Sequence, residues 1–361
     1  ATLPAPKMMR IMVPRNSENI SLPNDEFAVA KGADTVQINP MEVQVYKGIN
    51  LTLIEKFSAF GSSFRGGLRV AVGDIDADGV SDYVVGSGPG ANQMIRGFKG
   101  TVSTWSSDKA FPTVLFETTS GLGADGDNMA LAVGDVSGDG MVDIAVASGC
   151  GASIPRVRVL DGANPTKVLV DFEVPMATRS GIASIGVADM NSDSYGDVVV
   201  SFCNSSAFQG FSGKSIVDSR KANEVNQQVP TSILSATADS TSSVPVDLAL
   251  GDFNHDGSFD LIAGFQAGST GGAKAVRVFS GAAMGALLIQ LPMMPAIPTG
   301  LSMASVDLNA DGYWDAVAGA MNGSNAHQVE IHDGYGALTW GPGVWGKILS
   351  PFSGFTGGIR L

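Results

Sequence analysis

The stretch 74–82 reads DIDADGVSD and sets Asp74, Asp76, Asp78 and Asp82 at positions 1, 3, 5 and 9 of one short loop. Carboxylates at that spacing repel one another, and the repulsion is relieved when their oxygens converge on a hard cation. Side chains at positions 1, 3, 5 and 9, with a carbonyl at position 7, form an all-oxygen ligand set of the kind calcium takes. Gly79 at position 6 allows a tight turn with positive φ. The spacing returns as Asp135, Ser137, Asp139 and Asp143, and again as Asp189, Asn191, Asp193 and Asp197. It returns twice more as Asp252, Asn254, Asp256 and Asp260, then as Asp307, Asn309, Asp311 and Asp315. With no His or Cys cluster beside the loops, Ca²⁺ is expected rather than zinc or copper, in about five sites. No Glu stands at position 12, so these are not EF-hands. Ser194 takes the place of Gly at position 6 of loop three, which marks that loop as the weakest site. A single copy would read as an ordinary Asp/Asn/Gly turn; five copies in register call for metal. The loops hold sixteen carboxylates, and five divalent ions would bring the net charge from −13 to about −3.

The elements that carry these loops repeat as well. Successive first aspartates lie 61, 54, 63 and 55 residues apart, a period typical of bladed or stacked architectures. The residues before them read VAVG, LAVG, IGVA, LALG and MASV, with a small residue always third from the aspartate: Ala71, Ala132, Gly186, Ala249 and Ala304. A second apolar run comes after each loop, so each unit opens with a β-hairpin turned by the acidic loop. A later marker is a short strand ending in a glycine turn, at Gly48, Gly100, Gly162, Gly213, Gly281 and Gly334. There are six markers and five loops. The C-terminal FTGGIRL (355–361) matches FRGGLRV (64–70), the lead-in to loop one, while residues 27–48 match 82–100, the segment just after that loop. The missing loop therefore falls where the chain has its two ends. The expected fold is an all-β propeller of four-stranded blades, six on the marker count and seven left open, with the last blade shared between the termini. Small residues suit inner strands that converge on an axis. KMMRIMVP (7–14) competes with the C-terminal strand for the inner place in the shared blade. Residues 1–26 match nothing in the repeat and read as an N-terminal arm; 27–361 read as one propeller domain.

The GDIDADGVSD-type loops, the FRGGLRVAVGD lead-in and the VRVFSG turns resemble the FG-GAP/VCBS repeats of integrin α-subunit propellers and many bacterial secreted proteins. The resemblance covers residues 27–361 and implies a calcium-bearing β-propeller that serves in adhesion, surface assembly or ligand binding. Two departures stand out: the termini cut a blade at its metal loop, and loop three lacks its glycine.

Composition narrows the function. The acidic balance opposes nucleic-acid and anionic-lipid partners, and the longest apolar stretch, near 281–298, is broken by Pro292, Pro295 and Pro298. The chain starts at Ala1 without Met or a hydrophobic leader, as a mature secreted chain does. Asn19, Asn50, Asn204 and Asn322 head glycosylation sequons, a weak sign of the same address. Cys150 and Cys203 hold equivalent places in adjacent repeats, as a disulfide or as two buried thiols. Of three histidines, His255 lies inside loop four, and His327 and His332 stand without a nucleophile motif. GFSGKS (210–215) imitates a phosphate-binding loop, but Phe208 stands where its first glycine belongs and the segment coincides with a turn marker. Trp105, Trp314, Trp340 and Trp345 are too scattered for a ligand cage. The expectation is a secreted structural or adhesive module without catalytic activity, whose partner is a protein or glycan surface ligand. The alternatives are a subunit that polymerises through its terminal strands and a carbohydrate-binding propeller of a polysaccharide-active protein.

Overall fold

The computed structural model describes residues 25–361 apart from 33–39, 89–92, 102–105, 107–110, 123–128, 153, 176–180, 222–228, 266–274, 284, 293–299, 322–327, 341–346 and 353–358. Its strands form six antiparallel four-stranded sheets, the blades of a β-propeller. Strands β1 (Glu26–Lys31), β2 (Val43–Lys47) and β3 (Thr52–Phe57) belong to blade six. Blade one is β4 (Leu68–Gly73), β5 (Asp82–Ser87), β6 (Met94–Phe98) and β7 (Val114–Thr119). Blade two is β8 (Met129–Gly134), β9 (Asp143–Ser148), β10 (Arg156–Asp161) and β11 (Asn164–Glu173). Blade three is β12 (Ile182–Ala188), β13 (Asp197–Phe202), β14 (Ala207–Phe211) and β15 (Ser232–Thr237). Blade four is β16 (Val246–Gly251), β17 (Asp260–Phe265), β18 (Ala275–Ser280) and β19 (Ala286–Pro292). Blade five is β20 (Leu301–Val306), β21 (Asp315–Ala320), β22 (Val329–His332) and β23 (Lys347–Leu349).

The last strand, β24 (Ile359–Arg360), completes blade six by pairing with β1, Ala30 opposite Arg360 and Lys31 opposite Ile359. The C-terminal strand thus takes the inner place, and the sheet edge it could have offered to another molecule is spent inside the ring. KMMRIMVP and the rest of the N-terminal arm before Asp25 lie outside the described residues.

The second strands of blades one to five, β5, β9, β13, β17 and β21, are buried along their whole length, and β1 of blade six is buried in all but its first residue. Each blade is covered on both faces by its neighbours, so these strands read as continuous apolar runs rather than as alternating ones. Tyr83 and Val85 pack toward blade six while Val84 packs toward blade two. Six apolar clusters result, one in each interface between adjacent blades, including the five–six interface that closes the circle. Arginines at one position of the third strand add polar staples. Arg96 donates to the Ala59 carbonyl (2.6 Å), Arg158 to that of Ser120 (3.1 Å), and Arg277 to that of Ala238, each at the end of the preceding blade.

Two helices depart from the expected turns: α1 (Gly213–Lys221) and α2 (Gly334–Trp340) come after the third strands of blades three and five. Ser212 Oγ accepts the Ser215 N–H (3.2 Å), and Asp333 Oδ2 accepts the Gly336 N–H (2.8 Å), so each helix starts on a capping side chain. No helix among the described residues is long and apolar enough to cross a membrane.

Cys150 and Cys203 are joined as a disulfide between blades two and three, across 53 residues of chain. Closing a loop of that length removes about 4 kcal/mol of unfolded-state entropy. Reduction is therefore expected to lower the melting midpoint by on the order of 5 °C. An unchanged midpoint in dithiothreitol, with both thiols titrated as free, would show that the bridge adds nothing.

Candidate metal centres

All five acidic loops join the first strand of a blade to the second, so they sit together at one end of the propeller. Each holds its first aspartate by at least two backbone N–H groups. In loop one, Asp74 accepts from Asp78 (3.1 Å) and Gly79 (2.9 Å). The same pair recurs at Asp135 (3.1 and 2.8 Å), Asp189 (3.1 and 2.8 Å), Asp252 (2.9 and 2.8 Å) and Asp307 (3.1 and 2.9 Å). The fifth-position aspartates Asp78, Asp139, Asp193, Asp256 and Asp311 each accept the N–H two residues on, and Asn191, Asn254 and Asn309 turn their Oδ1 inward. Ser137 Oγ lies 3.4 Å from Asp135 Oδ1. In loop one, Asp74, Asp76 and Asp78 bring an oxygen each to within 4.8 Å of one another.

The ninth-position aspartates lie beneath the loops, almost wholly buried. Asp82 Oδ2 accepts the Ile75 N–H (3.0 Å), and its Oδ1 accepts the Gly100 N–H (2.8 Å). Asp143, Asp197, Asp260 and Asp315 likewise accept from Gly162, Gly213, Gly281 and Gly334 at 3.0–3.1 Å. This contact joins the two sequence markers, acidic loop and glycine turn, into one unit. It also explains the glycines: a Cβ on Gly100 would lie 1.7 Å from the Ser81 carbonyl oxygen, and one on Gly162 as close to that of Val142.

Burial pushes Asp82 up to about 6, Asp143, Asp197 and Asp260 up to about 7, and Asp315 up to about 8, against the pull of their N–H donors. Neighbouring acidic side chains push the same way, among them Asp76 on Asp82, Asp139 on Asp143, and Asp333 on Asp315. Such carboxylates are short of positive charge.

Loop one finds some in Lys99, the residue before its turn glycine. The Lys99 ammonium contacts Asp76 and lies 2.6 Å from Asp78, whose carboxyl it holds below the usual range. Blades two to five carry Asp161, Ser212, Ser280 and Asp333 at the position of Lys99. In blade six, which has no loop, Lys47 takes that position and pairs with Glu26 (2.8 Å) and Asp25 (3.2 Å), Glu26 opening β1 as the ninth-position aspartates open their strands.

Two features of the loops escape pattern reading. Position 4 is left-handed in every copy, at Ala77, Gly138, Ser192, His255 and Ala310, although only one of these is glycine. Neighbouring loops are also tied together: Gly196 N–H donates to the Asp135 carbonyl (2.6 Å), Trp314 N–H to that of Asp252 (3.0 Å), and His255 Nδ1 lies 2.6 Å from the Gly312 oxygen. His332 pairs with Glu330 (3.0 Å) inside blade five, and His327 lies outside the described residues. GFSGKS forms the end of β14 and the start of α1, with Lys214 turned to Asp218 (3.4 Å). Trp314 packs edge-on against Phe259 (centroids 5.8 Å apart), and Trp105 and Trp345 are outside the described residues. Of the sequons, Asn50 and Asn204 are exposed, and Asn19 and Asn322 are not described.

No family model matches the chain. No curated protein matches it. Among solved structures it is similar to the exotype rhamnogalacturonan lyase YesX, at 13% identity and a TM-score of 0.42, over 86% of this chain. The match spans 58% of the lyase's own length, and at that level it says nothing about activity.

Ser194 holds φ +69° where the other loops have glycine at +85° to +89°. Ser194→Gly is expected to stabilise the chain by about 0.5–1 kcal/mol, read as a shift in denaturant midpoint; a loss of stability would show the hydroxyl is needed. The ninth-position carboxyls titrate higher in the fold than in the unfolded chain, so the metal-free fold gains protons. Its stability is greatest below the unfolded-state value of about 4 and falls as pH rises through the folded values, about 6 to 8. Denaturation of metal-free protein from about pH 5 to about pH 8 checks this; a rise in stability across that window contradicts it.

Proposed function

We propose that the chain is a secreted, calcium-stabilised β-propeller of the FG-GAP/VCBS kind, a structural or adhesive module that presents its surface to a protein or glycan ligand. The observation that carries this reading is Lys99, an ammonium drawn onto Asp76 and Asp78 where the loop pattern calls for a cation. Loops two to five share the frame of loop one and lack a lysine at that position, and in this reading solvent supplies their positive charge. Aspartate carboxylates, Asn and Ser oxygens and backbone carbonyls suit calcium. At a dissociation constant of about 0.1 mM, about 1 mM calcium adds about 1.4 kcal/mol per loop. Several such sites rival the whole stability of an ordinary domain. The Cys150–Cys203 bridge suits an oxidising, extracellular address.

Thermal melts of the whole chain in calcium and in chelator test the reading. Calcium is expected to raise the midpoint by several degrees, more at pH 8 than at pH 6, because protons compete for the same carboxylates. The double variant Asp139→Asn, Asp256→Asn is expected to lose part of that increment while melting no lower than wild type in chelator, since it also relieves repulsion. Identical melts with and without calcium would refute the proposal.

A further inference from the structure

The inner strands enclose a cavity of about 400 Å³ on the propeller axis, at the low end of the range for small-ligand sites. Ala71, Ala132, Gly186, Ala249 and Ala304, the small residues of the repeat, line its walls and keep it open. At the end away from the acidic loops, one register position of each inner strand contributes to a ring: Arg69, Ala130, Ser184, Asp247, Ser302 and Arg360. Arg69 and Arg360 stand on adjacent blades, one and six, and Asp247 stands on blade four, across the ring from Arg69. The ring therefore holds two guanidiniums and one carboxylate, in a chain whose net charge is −13.

The carboxylate is heavily engaged. Asp247 Oδ2 accepts both the Ser302 hydroxyl (3.0 Å) and the Met303 N–H (2.8 Å), and its charge also acts on both Arg360 and Arg69. Arg69 donates to the Leu68 carbonyl (3.2 Å), and among the described residues no carboxylate lies within 4.0 Å of its nitrogens. Loss of water, then the charge of Arg360, push Arg69 down to about 9 against the opposing charge of Asp247, so it remains cationic at neutral pH. Ser184 Oγ accepts the Leu248 N–H (3.1 Å), which leaves its own proton to donate. The other acidic side chains lining the cavity, Glu26 and Asp74, belong to the loop end, where Lys47 and the loop-one N–H groups hold them.

We propose that this end of the channel binds a small organic carboxylate, of the size of a single sugar acid, with its carboxylate between Arg69 and Arg360. The planar guanidinium fork matches a carboxylate with paired hydrogen bonds, and the confined setting strengthens each of them. The small Ala and Gly residues above the ring leave room for the body of such a molecule, and the Ser184 hydroxyl can donate to one of its oxygens.

Calorimetric titration of the calcium-loaded full chain with glucuronate, with glucose of the same size and no charge, and with inorganic sulfate tests the site. Glucuronate is expected to bind and glucose to give no heat. Arg69→Gln is expected to weaken glucuronate by about tenfold, and Arg69→Lys, which keeps the charge and loses the fork, by less. Asp247→Asn removes the competing carboxylate and is expected to tighten binding, a gain that a merely structural role for the ring would not give. Both glutamine and asparagine variants must keep the calcium-dependent melt of wild type; should Arg69→Gln fail to fold, Arg69→Lys and Asp247→Asn still decide. The proposal is overturned if folded wild type takes up no glucuronate at about 10 mM, if glucose binds as well, if sulfate binds while glucuronate does not, or if the variants bind as wild type does.

Discussion

An ionised carboxylate is costly to bury, and this fold buries one beneath the hairpin of each of five blades. Asp82, Asp143, Asp197, Asp260 and Asp315 sit under their acidic loops with both oxygens on backbone N–H groups. Those bonds fix three things at once: the path of the loop, the start of the second strand and the turn after the third. The N–H donors offset part of the desolvation and leave the charge itself uncompensated. The loop carboxylates above add to the same deficit. Among the described residues Lys99 meets part of this deficit in loop one, and Lys47 pairs with Glu26 at the matching place in blade six.

Ring closure obeys a second constraint. A blade buries both faces only if it has a neighbour on each side, so an open array would leave two apolar faces in water. Pairing β24 with β1 removes those ends and places Leu361 and Phe352 against blade five's Val306 and Ile331. Blade six pairs Lys47 with Glu26, and its closure needs no metal loop.

Much of this architecture is legible in the residues alone. The acidic loops, the small residues on the axis and the match of GGIRL to GGLRV point to six or seven blades with one shared between the termini, because each leaves a repeated mark, while KMMRIMVP leaves the inner strand of that blade open. The glycine turns are visible as a pattern, yet their cause, contact with the ninth aspartate, needs coordinates. Other features leave no mark. Ala77, His255 and Ala310 take left-handed backbone that their side chains do not advertise. The helices α1 and α2 start from Ser212 and Asp333, residues that look like any other turn member. Cys150 and Cys203 admit both bonded and free states until their Cα atoms are seen 5.7 Å apart. Arg69 and Arg360 read as ordinary members of a lead-in strand, since nothing linear places them on one ring with Asp247.

The claim most open to refutation is that clustered aspartates at the hairpin tips hold divalent ions. Elemental analysis of the purified, desalted chain after equilibration in millimolar calcium measures this without reference to stability or partner. About five calcium ions per chain are expected, one for each loop and none for blade six. A chain that retains no calcium, and that gives no heat when calcium is titrated into it, would contradict the account.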